Sequence, residues 1–212
     1  MIERLTKSDV DLYTESVALA AFIAAANTLR AERDHAMNID PKTGLLTALA
    51  FQRRVEEITH NRRRNGDANE QHTFALLDLD RFHDVNEALG YTNADNRILI
   101  PYARNLKASL RDGDLAGRWG GEEMLLFLPH TSPDDAMHVI GRVYGAAERI
   151  NFGYDAIGNP INIANRSHLG VSMGIVRFKP GDDYTERFNA ANELVHEVKE
   201  NGRNSFLVEE AA

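Results

Sequence analysis

The sequence predicts an α+β fold, a sheet containing antiparallel strands with helices largely on one side of it. Three observations carry that expectation. Thr73 to Leu79 (TFALLDL) is an apolar run of strand length, reading as a central strand covered on both faces. The apolar runs Leu115-Ala116 and Leu125 to Leu128 flank Arg118-Trp119-Gly120-Gly121-Glu122-Glu123-Met124. Paired glycines there supply a tight hairpin turn, since glycine alone enters positive φ at no steric cost. Finally, the elements follow in the order helix, strand, two helices, hairpin, helix, strand, helix, strand.

Each element has its own warrant. Ser8-Asp9-Val10-Asp11 reads as a capping box, and no Gly or Pro interrupts the chain from there to Ala36, which predicts one long N-terminal helix. Its centre, Val17 to Ala26, is apolar on all faces. It must therefore be covered, either by its own domain or by the same helix of a second chain. The polar connector Asn38 to Gly44, with Pro41, places a boundary between a helical stalk or dimerisation segment, 1–39, and the main domain, 40–212. Phe51, Val55 and Ile58 recur at helical spacing. Asn61 to Gln71 is a polar loop. Phe82 to Leu89 is a short helix stopped by Gly90. A helix from about Asn93 to Leu110 carries Pro101 inside it, which predicts a kink. Ser132-Pro133-Asp134-Asp135 starts another helix, with an N-cap serine, proline at the first position and acids in the first turn. Its buried stripe is Ala136, Ile140, Val143, Ala147 and Ile150. Leu169 to Phe178 reads as a strand. Tyr184, Phe188, Ala191, Val195 and Val198 mark the last helix, ended by Gly202, and Ser205 to Val208 forms a final strand.

Composition narrows the function. Lys+Arg 24 against Asp+Glu 32 leaves a net charge of −8 over 212 residues, which argues against broad nucleic-acid binding. The absence of cysteine excludes disulfides, thiol nucleophiles and thiolate metal sites. Val17 to Ala26 is far too short for a membrane span and lacks a basic segment close before it, so neither a span nor a signal peptide is expected. The protein is expected to be cytoplasmic.

The chemistry sits in the acids around the hairpin. Asp78 ends one strand and Glu122 begins another. If those strands are neighbours, the two carboxylates converge. Two carboxylates, a backbone carbonyl and substrate phosphates make a usual Mg²⁺ site, because Mg²⁺ prefers hard oxygens. The turn's lack of side chains at Gly120 and Gly121 also lets a ligand approach the backbone. The alternatives are a surface hairpin with a solvated acidic start, and Asp78 and Asp80 as caps of the following helix.

Taken together, DPKTGL at residues 40–45, TFALLDLDRFHDVNEALG with its following AD, then RWGGEE, VSMGIV and KENGRN resemble the GGDEF family of bacterial diguanylate cyclases, collinearly over about Asp40 to Val208. The opening departs from the family's D-x-L-T-G-L in Lys42, and the signature here is GGEEM. The resemblance implies a ferredoxin-like βαββαβ nucleotide-cyclase palm with a mainly antiparallel sheet. It implies condensation of two GTP into cyclic di-GMP with loss of two pyrophosphates, dependent on Mg²⁺ (or Mn²⁺). By the same resemblance, Asp78, Glu122 and the carbonyl of Leu79 hold metal, and Glu123 assists at the metals or the attacking 3′-hydroxyl. Asn86 and Asp95 read guanine, an amide and a carboxylate suiting its donor and acceptor edge. Phe82, His83 (where Lys is usual), Gly121, Lys199 and Arg203 complete the substrate site, the last two as a phosphate-binding pair whose alternative role is to compensate the helix dipole. Arg111 and Asp114, with Arg142, match an inhibitory site for the product; the alternative is a plain turn salt bridge.

The leading function is thus a product-inhibited diguanylate cyclase working as a homodimer, each subunit holding one GTP. A second reading is a catalytically weak or silent receptor for GTP or cyclic di-GMP that signals through protein contacts. A third is a related nucleotide cyclase or polymerase. Intact Asp78, Glu122 and Glu123 favour the enzyme over the receptor, and Asn86 with Asp95 speaks against an adenine-using relative. The all-round apolar N-terminal segment points to regulation through that helix, by control of dimerisation or by contact with a regulator protein.

Overall fold

The computed structural model describes residues 17, 20–28, 37–61, 70–154 and 157–210. Contacts divide the chain into two units, Met1–Asn38 and Ile39–Ala212. In the first, residues 17 and 20–28 are helical and every one of them is exposed. The capping box at Ser8 lies outside the described residues.

The second unit is built on six strands, β1 (Leu46–Thr47), β2 (His72–Leu79), β3 (Leu115–Gly120), β4 (Glu123–Leu128), β5 (Val171–Phe178) and β6 (Phe206–Val208). Their spatial order is β1-β3-β4-β2-β5-β6. The central pairs β2–β4, β2–β5 and β3–β4 are antiparallel, and parallel β1 and β6 close the edges. The helices are α1 (Ala48–Asn61), α2 (Phe82–Leu89), α3 (Tyr91–Ala94), α4 (Ile100–Ala108), α5 (Pro133–Glu148) and α6 (Tyr184–Glu200). The mixed α+β class and the mainly antiparallel sheet are as the sequence predicts.

The helices are not on one side. Along β2, Ala75, Leu77 and Leu79 enter a core shared with Val85, Tyr102, Leu106 and Ile140. Phe74 and Leu76 enter a second core with Phe51, Val55, Tyr184 and Val195. Side chains alternate across a strand, so a strand buried at every position needs cover on both faces. Here α2, α4 and α5 cover one face and α1 and α6 the other. Helix α6 lies so close to β5 that a Cβ on Gly174 would come within 2.0 Å of the carbonyl oxygen of Ala191.

Pro101 is handled differently from the expected interior kink. A π-helical turn, Asp95–Leu99, precedes α4, and Ile100 N–H bonds back to Asp95 O, five residues earlier. Pro101 follows that turn directly, inside a run that is helical from 91 to 108, and a π turn is a usual way for a helix to take up such an irregularity. The N-cap at Ser132 forms as expected, and Asp183 caps α6 in the same way, each side chain accepting the N–H three residues on.

Candidate functional site

The sheet brings one set of element ends together. Asp78 sits near the end of β2, opposite Glu123 of β4 on one side and Ser172 of β5 on the other. Glu122 does not begin β4; it lies with Gly121 in the turn between β3 and β4. This corrects the expected position of Glu122, and the reason is local. The β3–β4 register shifts between Arg118 and Gly120, so Gly120 pairs with Glu123 and the signature's first acid is left at the tip. Gly121 takes φ +47°, a conformation that favours glycine.

The turn is gripped from behind. Arg118 donates from Nε and Nη2 to Gly121 O at 3.0 and 2.6 Å, and from Nη1 to both oxygens of Asp40 at 3.1 and 3.3 Å. Desolvation acts to raise the Asp40 carboxyl. The N–H and hydroxyl of Thr43 and the Arg118 guanidinium overcome it and hold the group below the usual range. Neither Asp40 nor Arg118 figured among the sequence-predicted site residues. An Asp followed by Thr and Gly at turn spacing, and an arginine just before the glycines, are the signals that mark them.

From α6, Lys199 reaches the acids, with Nζ 2.7 Å from Asp78 Oδ2. Burial pushes the Asp78 carboxyl up, Lys199 pulls it down, and Glu122 and Asp80 push it up again, leaving it raised. Glu123 is raised as well, by burial and by Asp78, against the pull of Lys199 and His196. Three carboxylates facing one ammonium, two of them partly desolvated, make a centre short of positive charge. It suits a hard divalent cation accompanied by phosphate.

The sign of the Asp78 shift sets a prediction. The folded state holds the proton more tightly than the unfolded chain, so ionised Asp78 lowers stability above its folded pKa, and the cost is relieved below the ordinary value of 3.8. Asp78→Asn is expected to be more stable than the parent at pH 7 without metal, with the advantage shrinking as pH falls into that window. Urea unfolding of both proteins at pH 7 and pH 4 checks it; a variant less stable at pH 7 contradicts the sign.

Asp80 does not cap α2, whose N-cap is Arg81 at φ 54°, with no side-chain cap bond. Its buried carboxylate instead accepts from Ser172 Oγ at 2.6 Å and from Asn204 N at 2.8 Å. Arg203, at φ 65°, donates to Lys199 O at 2.8 Å, so the helix-end role is realised here. Of the remaining predicted substrate residues, Phe82 is buried. His83 is exposed and pairs with Glu87. Asp95 is ion-paired with Lys42, and Asn86 Oδ1 is buried without a hydrogen-bond partner.

Away from the acids, Arg111 bonds Asp114 (Nε to Oδ1, 3.2 Å), Pro129 O (3.0 Å) and Thr131 Oγ1 (2.8 Å). The turn salt bridge of the alternative reading is therefore present. It borders a cleft of about 860 Å³ shared with Arg54, Glu57 and His130. Arg142 donates to Ser109 O at 2.8 Å, on the same connector but not to that pair.

Glu70, His72 and His130 form a further polar cluster, their potential ligand atoms within 4.8 Å of one another. It lies at the opposite end of β2, about 20 Å from Asp78 at the usual strand rise. His72 Nδ1 there already accepts the N–H of His130 at 3.0 Å, so that lone pair is committed to the backbone. Among the described residues no helix is long and apolar enough to cross a membrane.

The family model described as "Diguanylate cyclase, GGDEF domain" matches residues 37–205. Diguanylate cyclase DgcM of Escherichia coli (strain K12) is 26% identical over 202 residues, covering 93% of this chain and 45% of that protein. Diguanylate cyclase A of Treponema denticola is 30% identical over 190 residues, covering 90% and 48%. The chain thus spans about half the length of these curated relatives. Among solved structures, the coiled coil and GGDEF domain of DgcB from Caulobacter crescentus, in complex with c-di-GMP, superposes with a TM-score of 0.76 at 16% identity, over 96% of this chain and 100% of that one. At that identity the likeness shows the fold alone. Diguanylate cyclase SiaD from Pseudomonas aeruginosa, in complex with its activator SiaC, superposes with a TM-score of 0.68 at 27% identity, over 96% and 74%.

Proposed function

The chain belongs to the GGDEF family of diguanylate cyclase domains, and on that premise we propose that it is itself a diguanylate cyclase, joining two GTP into cyclic di-GMP. One observation carries the reading: Asp78 and Glu123 stand opposite each other at one sheet end, with Glu122 at the adjoining turn and Lys199 on Asp78. That end is desolvated and acidic, which suits phosphoryl transfer.

In this reading Asp78, Glu122 and the carbonyl of Leu79 hold Mg²⁺ (or Mn²⁺). The bound ion neutralises the triphosphate and lowers the pKa of the attacking 3′-hydroxyl. Glu123 takes up or orients that hydroxyl's proton. Lys199 and Arg203 steady the phosphates, Asn86 and Asp95 read the base, Gly121 lets the substrate approach the backbone, and Phe82 and His83 complete the substrate site. Each 3′-oxygen forms a bond to the other nucleotide's α-phosphorus as the α–β bond breaks and pyrophosphate leaves. One subunit cannot place both hydroxyls in line, so the working unit is a homodimer with one GTP per subunit.

The exposed apolar residues 20–26 support residues 1–39 as the stalk that pairs two catalytic domains, 40–212, or meets a regulator protein. Cyclic di-GMP returns to Arg111, Asp114 and Arg142 as an inhibitor, Arg111 being held ready in its fork by Asp114, Pro129 and Thr131. GTP as substrate places the protein in the cytoplasm. The test is incubation of purified protein with GTP and Mg²⁺, the products identified by mass, beside a sample with excess EDTA. Cyclic di-GMP only with metal is the expected result. Tight nucleotide binding with no product would establish a receptor instead.

A further inference from the structure

Lys42 stands where the family's opening motif has a leucine, and the chain does something specific with it. The turn that carries it is fixed from within: Asp40 Oδ1 accepts the N–H and hydroxyl of Thr43 at 2.8 and 2.6 Å. Gly44 N–H and Asp40 N–H close it through Asp40 O (2.9 Å) and Leu45 O (2.8 Å). Arg118 fixes it from outside, and the same guanidinium holds the catalytic hairpin at Gly121. From this support Lys42 extends to Asp95, Nζ to Oδ2 at 2.5 Å. The lysine side chain is 43% exposed and the aspartate 22%. A pair that open contributes little to stability, so stability is a weak reason for it. The buried, unpartnered Oδ1 of Asn86, on the preceding helix, is a second polar group left for a ligand.

Resting on the assignment of Asn86 and Asp95 to base recognition, we infer that Lys42 is a third base-reading residue, one that selects the oxygen at position 6 of guanine. The Watson–Crick edge of guanine offers donors at N1 and N2 beside an acceptor at O6. A carboxylate matches the two donors but repels the acceptor. An ammonium resting on that carboxylate supplies the missing donor, and its three N–H groups serve both partners at once. Adenine presents a donor at position 6 and an acceptor at N1, so the lysine and the aspartate each face the wrong group. Unpaired groups of that kind are what give polar sites their discrimination. Before the base arrives the two charges satisfy each other, so neither is left unpaired.

The test uses the α,β-methylene triphosphates of guanosine, 6-thioguanosine and adenosine, which the protein cannot turn over, titrated calorimetrically into the full chain. In 6-thioguanosine a sulfur, a poor acceptor, replaces O6 while the N1 and N2 donors remain. The parent protein is expected to prefer the guanosine compound to its thio analogue about tenfold, the size of one charge-assisted hydrogen bond. In Lys42→Met the two are expected to bind equally, at the weaker level. Retained discrimination in Lys42→Met, or guanosine binding as tight as or tighter than in the parent, overturns the inference; the tighter result would make Lys42 a block on Asp95. Asp95→Asn separates this from failure of the base site itself. If Asp95→Asn weakens guanosine binding and Lys42→Met does not, only the lysine's role falls. If neither variant alters binding, the base-site assignment falls with it.

Discussion

Glu122→Gln is expected to lower the rate of cyclic di-GMP formation by roughly a thousand-fold while GTP still binds, the scale of losing several kcal/mol of transition-state charge stabilisation at a metal centre. The amide keeps the shape of the side chain and removes only its charge. The fold should not notice, because Glu122 belongs to a turn tip held by Arg118 through the carbonyl of Gly121, not by the glutamate itself. Its unfolding free energy should stay within about 0.5 kcal/mol of the parent, as for substitutions away from buried networks. Glu122 also pushes up the carboxyls of Asp78 and Glu123, so the variant should bring both down toward the ordinary range. Product formation above about a tenth of the parent rate would show that the turn acid is dispensable. In that case Asp78 and Glu123, facing each other across β2 and β4, would carry the chemistry without it.

The parts of this architecture that depend on near neighbours were legible in the residues. TFALLDL marks a central strand, the paired glycines mark a hairpin, and Ser132 forms its helix cap. Misreadings arose where the deciding contact is distant or the backbone irregular. Helices on one side of the sheet conflict with a central strand whose apolar residues fall on both faces; the two cores resolve that conflict in favour of the strand. The two-residue strand β1, parallel to β3, is too short to leave a periodic signal. Glu122 reads as the start of a strand because the register shift at Arg118–Gly120 is a tertiary feature with no sequence mark of its own. Pro101 predicts an interior kink, but a π-helical turn just before it takes up the irregularity. The Lys42–Asp95 contact joins residues 53 apart, and only the departure from the family's leucine hints at it.

Asp80 shows the same limit most sharply, and its removal should have the largest effect on stability. It looked like a helix cap, yet its partners Ser172 and Asn204 lie 92 and 124 residues further along. Asp80→Ala leaves the buried hydroxyl of Ser172 and the N–H of Asn204 without their acceptor, and a cost of about 3 kcal/mol follows from two orphaned donors to a charged group. The space around the carboxylate is already tight: a Cβ on Gly170 would meet Asp80 Oδ2 at 2.8 Å. Arg203 and Asn204 hold left-handed conformations at φ 65° and 48°, which persist only where surrounding contacts enforce them. Without Asp80, the segment between α6 and β6 should therefore open before the rest of the sheet. Hydrogen exchange should rise first over residues 201–208, and the urea midpoint should fall at an unchanged slope. A loss below about 1 kcal/mol, with exchange at 201–208 unaltered, would contradict this. The consequence reaches the acids, because Lys199, which holds Asp78, lies in the last turn of the helix that this segment anchors. Asp80 touches no reacting group in this account, so its effect on turnover should track the disorder of that helix end. Asp80→Asn, which keeps one acceptor oxygen, should recover part of both.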